Sequence, residues 1–140
     1  MPRFLNDDNL QHSIFFIYVV MRFFKTIEFA KASRVAKITD PQLQAAIQQT
    51  LQGRVIDLGG GVFKKRLLEN RYRSILVTDG SSRWVYEYLF AKKDLANITE
   101  QDLQRFRVLA KRYAVLSEQQ IDALLMDKLL LELSPDVKPF

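Results

Sequence analysis

The 140-residue chain has no cysteine and a single histidine, His12. Without cysteine there are no disulfides, no thiolate nucleophile and no thiolate metal site. That composition permits a cytoplasmic location. One histidine excludes a histidine-pair ribonuclease mechanism and a multi-histidine zinc site. Long hydrophobic runs are also missing. The longest candidate is Ser13-Ile14-Phe15-Phe16-Ile17-Tyr18-Val19-Val20, shorter than the roughly 20 residues a membrane helix requires. No small-residue cleavage site follows it, only Met21-Arg22-Phe23, so it does not read as a secretory leader. There is no internal repeat and no low-complexity segment.

What is present is a globular composition, 48% hydrophobic and 26% charged, in a length that suits one domain with a real core. The net charge of +5 fits a nucleic-acid partner and equally fits many ordinary proteins. Residues 1–20 are expected to be an N-terminal extension, read as an extra strand or an upstream leader with Met21 as a natural start. Residues 21–133 form the domain, and 134–140 a C-terminal tail.

Along the chain, Arg22–Thr26 reads as a strand and Ile27–Lys37 as a helix. Thr39-Asp40-Pro41 opens the next helix, with Asp40 as cap and Pro41 in the first turn. Leu43, Ile47 and Leu51 recur on one face, and Gly53 ends it. Arg54–Leu58 is a strand, and Gly59-Gly60-Gly61 turns it into the next. Later, Thr99 with Asp102 and Ser117 with Gln120 mark two helix starts. Leu103, Phe106, Ala110 and Tyr113 face inward on the first, with Arg105 and Arg112 on its opposite face. Ile121, Leu124 and Leu125 form the stripe of the second. Leu129–Leu133 is a last strand.

The centre of the chain is a basic hairpin. In the strand Val62–Leu68, alternation puts Lys64 and Arg66 on one face with Val62 and Leu68, and Phe63, Lys65 and Leu67 on the other. After a turn around Glu69-Asn70, Arg71, Arg73, Ile75 and Val77 share a face. Arg83–Phe90 is a third meander strand, with Trp84, Tyr86, Tyr88 and Phe90 on one side. A hairpin of this kind can hold several cations within reach of one anion, which RNA phosphate recognition requires.

These features resemble the RelE/HigB-type toxins of bacterial type II toxin–antitoxin modules, in the RelE/ParE superfamily. The matching words are Phe24-Lys25-Thr26, Asp57-Leu58-Gly59-Gly60-Gly61-Val62-Phe63-Lys64-Lys65-Arg66 and Tyr72-Arg73. Phe90-Ala91-Lys92 with Asn97-Ile98, Leu116-Ser117 and Leu131-Glu132-Leu133 complete them. The likeness runs from Met21 to Leu133. Similar sequences often carry a longer, glycine- and lysine-rich loop before Tyr-Arg; here only Leu67-Leu68-Glu69-Asn70-Arg71 stands there.

The resemblance implies an α+β fold, a small antiparallel β-meander sheet with helices packed on one face. It further implies a messenger RNA endoribonuclease acting on the translating ribosome and silenced by a cognate antitoxin. Its partners would be that antitoxin, the ribosome and mRNA, with no membrane, no metal and no small-molecule cofactor. In such a reaction the ribose 2′-hydroxyl attacks the adjacent phosphate, so a base, in-line geometry and charge stabilisation are needed. With no usable histidine, cations must supply most of this. Lys64 is the candidate base, its pKa lowered by neighbouring cations, with Arg66 and Arg73 on the phosphate. Lys65, Arg71, Tyr72, Lys92 and Lys93 are candidates to hold RNA. Tyr72, Tyr86 and Tyr88 are candidates to stack bases, although Trp84, Tyr86 and Tyr88 suit a core equally. Two other classes stay open: a ParE-type gyrase-inhibiting toxin, and a toxin-like binding module without catalysis.

Overall fold

Phe23 and Phe24 are neighbours on strand β1 (Arg22–Thr26), and both are buried. Adjacent strand residues point to opposite faces, so a sheet containing β1 must be covered on both. A computed structural model, which describes residues 21–133, shows how this is done. The expectations for His12, the run Ser13–Val20 and the tail 134–140 lie outside the described residues.

Among the described residues six strands form one sheet: β1, β2 (Ile56–Gly59), β3 (Val62–Leu67), β4 (Tyr72–Thr78), β5 (Arg83–Ala91) and β6 (Leu130–Leu133), in the order β2-β3-β4-β5-β1-β6. The meander β2 to β5 is antiparallel, β1 lies parallel to β5, and β6 returns antiparallel to β1. The α+β class and the meander agree with expectation. The helices, expected in one layer, form two. Helices α1 (Ile27–Val35) and α2 (Asp40–Leu51) send Phe29, Leu43, Ala46 and Ile47 onto Phe23, Leu67, Leu76 and Tyr86. On the opposite face, Leu103 and Phe106 of α3 (Glu100–Val115) cover Val62, Ile75 and Phe90. Ile121 of α4 (Glu118–Met126) packs with Phe24, Val85 and Leu130. Both faces of the meander are rich enough in apolar residues to require a layer.

The helix starts follow local chemistry with one correction. Thr39, not Asp40, caps α2: its hydroxyl accepts from Gln42 N, and Gln42 Oε1 accepts from Thr39 N. Asp40 is already in the first turn beside Pro41, where a carboxylate favours the positive end of the helix. Ser117 and Gln120 form the same reciprocal box on α4, and Thr99 caps α3 through Asp102 N. Arg83 fastens the α3–α4 junction to the sheet. Its Nη1 donates to Tyr113 O and Leu116 O, and its Nη2 to Glu118.

The glycine turn seats α3 on the sheet. Gly61 has φ +84, and a Cβ there would lie 2.7 Å from Thr78 O and 3.0 Å from Ala110 Cβ. Arg107 crosses the turn and donates to Leu58 O at 2.7 Å and Gly59 O at 3.2 Å.

Two alternations break. Between β4 and β5 the register shifts, Ile75 facing Tyr88 and Leu76 facing Tyr86, so that Glu87 is the extra residue of a bulge. The expected aromatic row is therefore divided. Trp84 and Tyr86 pack on the α1–α2 side, while Tyr88 and Phe90 lie on the α3 side. At the end of β3, Leu68 leaves the strand with φ +50 and packs beside Leu67, not beside Val62 as alternation required.

Candidate functional site

The register of β3 against β4 pairs Lys64 with Ile75 and Arg66 with Arg73. Directly paired residues share a face, so Lys64, Arg66 and Arg73 stand together on the α3 side of the sheet. Like charges placed directly opposite destabilise a ladder, and Arg66 and Arg73 accept that cost. Among the described residues no carboxylate pairs with any of the three.

Their surroundings differ. Arg66 is exposed. Arg73 is only 7% exposed; its Nη1 donates to Asn70 O at 3.2 Å, and its buried Nε has no hydrogen-bond partner. Lys64 is half-buried and donates to Asn97 Oδ1 at 3.0 Å. Burial, then the charges of Arg73 and Arg66, hold its ammonium below the usual lysine pKa. Tyr88 extends the Lys64–Ile75 row by one strand. It is 39% exposed, with its ring stacked on Phe90 and Phe106.

The residues expected to hold RNA divide into two places. Arg71, Tyr72, Lys92 and Lys93 line a cleft of about 620 Å³ at the end of β4 and β5, together with Glu69, Asn70 and Ala91. Lys92 N donates to Arg71 O at 2.9 Å, which carries the strand pairing one step past β5. Asn70 joins this cleft to the cation cluster, since its carbonyl accepts from Arg73. Lys65 is elsewhere. It is 7% exposed on the opposite face, its ammonium donates to Arg54 O at 2.8 Å, and burial, then Arg54, lowers its pKa. Tyr86 is also removed from the surface: it is fully buried, with its hydroxyl donating to Leu43 O.

The turn that separates the cluster from the cleft is short and strained. Leu68, Glu69 and Asn70 have φ of +50, +54 and +70, a left-handed conformation that asparagine tolerates but that costs roughly 1–2 kcal/mol for residues such as leucine and glutamate. It brings Asn70 O back onto Arg73 within three residues.

Asn97 is the residue whose place sequence reasoning missed. It lies 33 positions from Lys64, so no local spacing connects the two. Its only signal was membership of the Asn97-Ile98 word. Among the described residues no cluster of His, Asp or Glu has the makings of a metal site, and no helix is long and apolar enough to cross a membrane.

Neither the curated proteins nor the solved structures include a significant match to this chain. The model of a family described as the RelE toxin of the RelE/RelB toxin–antitoxin system matches residues 21–133. Those residues contain the whole sheet, all four helices of the described chain and the basic hairpin. The chain belongs to the RelE toxin family of toxin–antitoxin systems.

Proposed function

We propose that this toxin is a ribosome-dependent mRNA endoribonuclease, restrained by a cognate antitoxin that binds it. The observation that carries the reading is the Arg66–Arg73 pair with Lys64 beside it. Three cations share one face, none of them in an ion pair with a carboxylate of the described residues, and one guanidinium is buried with an open donor. A sheet that keeps such a cluster is poised for an anion.

In the proposed reaction Lys64, as the neutral amine, takes the 2′-hydroxyl proton. The 2′-oxygen bonds to phosphorus, the bond from phosphorus to the 5′-oxygen breaks, and a 2′,3′-cyclic phosphate remains. The departing 5′-oxygen takes a proton from solvent. Arg66 and Arg73 neutralise the charge that gathers on the phosphoryl oxygens. Arg71, Tyr72, Lys92 and Lys93 hold the neighbouring nucleotides in the cleft beside the turn. Tyr88 offers an exposed ring on the Lys64 row for a base to stack on.

Single-turnover cleavage of ribosome-bound message tests this. Arg73→Lys should slow cleavage by about 10²-fold, because a point charge cannot reproduce a guanidinium's two-point grip on phosphate. Lys31, exposed on α1 across the sheet, is the control, and Lys31→Ala should cut at the parent rate. Lys25 does not serve as that control, since it pairs with Asp40 at 2.6 Å and ties β1 to α2. Equal rates for Arg73→Lys and the parent would remove Arg73 from the site. RNA left intact alongside a DNA supercoiling defect would move the toxin to the gyrase-inhibiting class.

A further inference from the structure

Lys64 has a neutral partner. Its ammonium donates to the amide oxygen of Asn97 at 3.0 Å. The loop between β5 and α3 that carries Asn97 is fixed on both sides of it. Leu95 and Ile98 pack against Val62, Ile75 and Phe90, and Thr99 is already the cap of α3. The backbone at Asn97 is thus anchored to the same sheet face that presents Lys64, Arg66 and Arg73.

We infer that Asn97 is the positioning residue of Lys64: its amide oxygen holds the lysine nitrogen beside the Arg66–Arg73 pair without adding charge. This rests on the ribonuclease reading of the site. The choice of an amide has a physical reason. A carboxylate at that place would hold the lysine nitrogen as well, but it would favour the ammonium and raise its pKa. An amide accepts from the ammonium and from the neutral amine alike, so position is fixed while the proton stays free to leave.

The charges that act on Lys64 all act in one direction. Arg66 of β3 and Arg73 of β4 both disfavour its charge, as does burial. From β2 the residue directly opposite is the uncharged Ile56. Along the row through β4 and β5 stand Ile75 and Tyr88. From α3 the cation Arg107 is occupied by the carbonyls of Leu58 and Gly59 and lies near Glu100. Asn97 is the hydrogen-bond partner that the described residues provide for the lysine.

The test uses the full chain and two readouts. The first is the titration of the Lys64 side chain by NMR, its signal assigned through Lys64→Arg. The second is the pH profile of single-turnover cleavage of ribosome-bound message. In Asn97→Asp the Lys64 pKa should rise by about one unit or more, as an opposite charge in contact commonly causes. The rising limb of the cleavage profile should move up by the same amount, with the rate recovering at high pH. Asn97→Ala should slow cleavage without that upward displacement. Asn97 is exposed, so both variants should keep the parent's thermal midpoint. Normal cleavage with Lys64 titrating in Asn97→Asp as it does in the parent would overturn the inference and leave the ribonuclease reading standing. A parent chain that cuts nothing, with Lys64 still responding to Asn97→Asp, would support the contact and remove the ribonuclease reading.

Discussion

A buried cation must recover in hydrogen bonds what it loses in hydration, or it destabilises the fold. Arg73 recovers one bond, to Asn70 O, and its Nε recovers none. Replacing such a group with an apolar side chain of similar length is often neutral or stabilising. Arg73→Met should therefore keep or raise the thermal midpoint while cleavage falls by about 10²-fold or more. A marked drop in the midpoint would mean that Arg73 serves the fold before the phosphate. Glu87 shows the complementary case. Bulging places it against α3, where its carboxylate accepts from Tyr113 Oη at 2.7 Å. Burial raises its pKa against the lowering effect of that hydrogen bond, with Glu28 adding to the rise. A carboxyl raised in the folded state binds more protons there than in the unfolded chain, so its contribution is favourable at low pH. That contribution is lost as pH climbs from the unfolded carboxyl value through the raised one. Glu87→Gln should thus gain thermal stability relative to the parent at pH 8, and the gain should shrink toward pH 4. A gain that grows on acidification would show the ionised form to be the favoured one. Tyr113, whose own pKa is raised by burial, then by Glu87, stays a donor throughout.

The glycine turn between β2 and β3 sets how closely α3 lies over the site. Gly61 combines a positive φ with a Cβ position blocked by Thr78 O, while Gly53 has the same sign of φ and open space. The pair separates steric from conformational cost. Gly53→Ala should cost about 1 kcal/mol, the penalty of a left-handed alanine. Gly61→Ala should cost roughly 2–4 kcal/mol, because overpacking against backbone adds about 1–3 kcal/mol. Urea unfolding of the two variants measures both, and equal midpoints would show that α3 yields freely. Arg107, lying across Gly59 and Gly60, belongs to the same joint. The turn of Leu68, Glu69 and Asn70 is the element's counterpart at the other end of β3. It is only three residues long, and it closes by residues that are all left-handed.

At the scale of the molecule, residues 21–133 hold a sheet covered on both faces, with Phe23 and Phe24 anchored in separate clusters. The family model covers the same residues. A chain without residues 1–20 is accordingly expected to fold, with a thermal midpoint within a few degrees of the full chain. A loss well beyond about 5 °C, more than about 1 kcal/mol gives in a domain of this size, would assign the run Ile14–Val20 a place in the core. The net charge of +5 and the uncompensated cations of the hairpin suit an acidic surface on the antitoxin.

Alternation along β3 and β4, the capping words and the glycine turn are properties of neighbouring residues. They were legible as text: Lys64, Arg66 and Arg73 do share a face, and Thr99 and Ser117 do begin helices. Other facts depend on what lies opposite in space. The Glu87 bulge exists only against β4, so the division of Tyr86 from Tyr88 could not be read from the period of two. Arg73 is buried while Arg66, its direct partner on the same face, is exposed, a difference that alternation does not contain, and Lys65 is occupied because Arg54 O meets it across the hairpin. Asn97 reaches Lys64 only once Leu95 and Ile98 have found the apolar patch on the sheet. Which cations align follows from residue order alone, since backbone geometry dictates which side of a strand each faces. Tertiary structure decided which of them are desolvated, partnered or open to an anion, because desolvation and partnership belong to whatever packs over them.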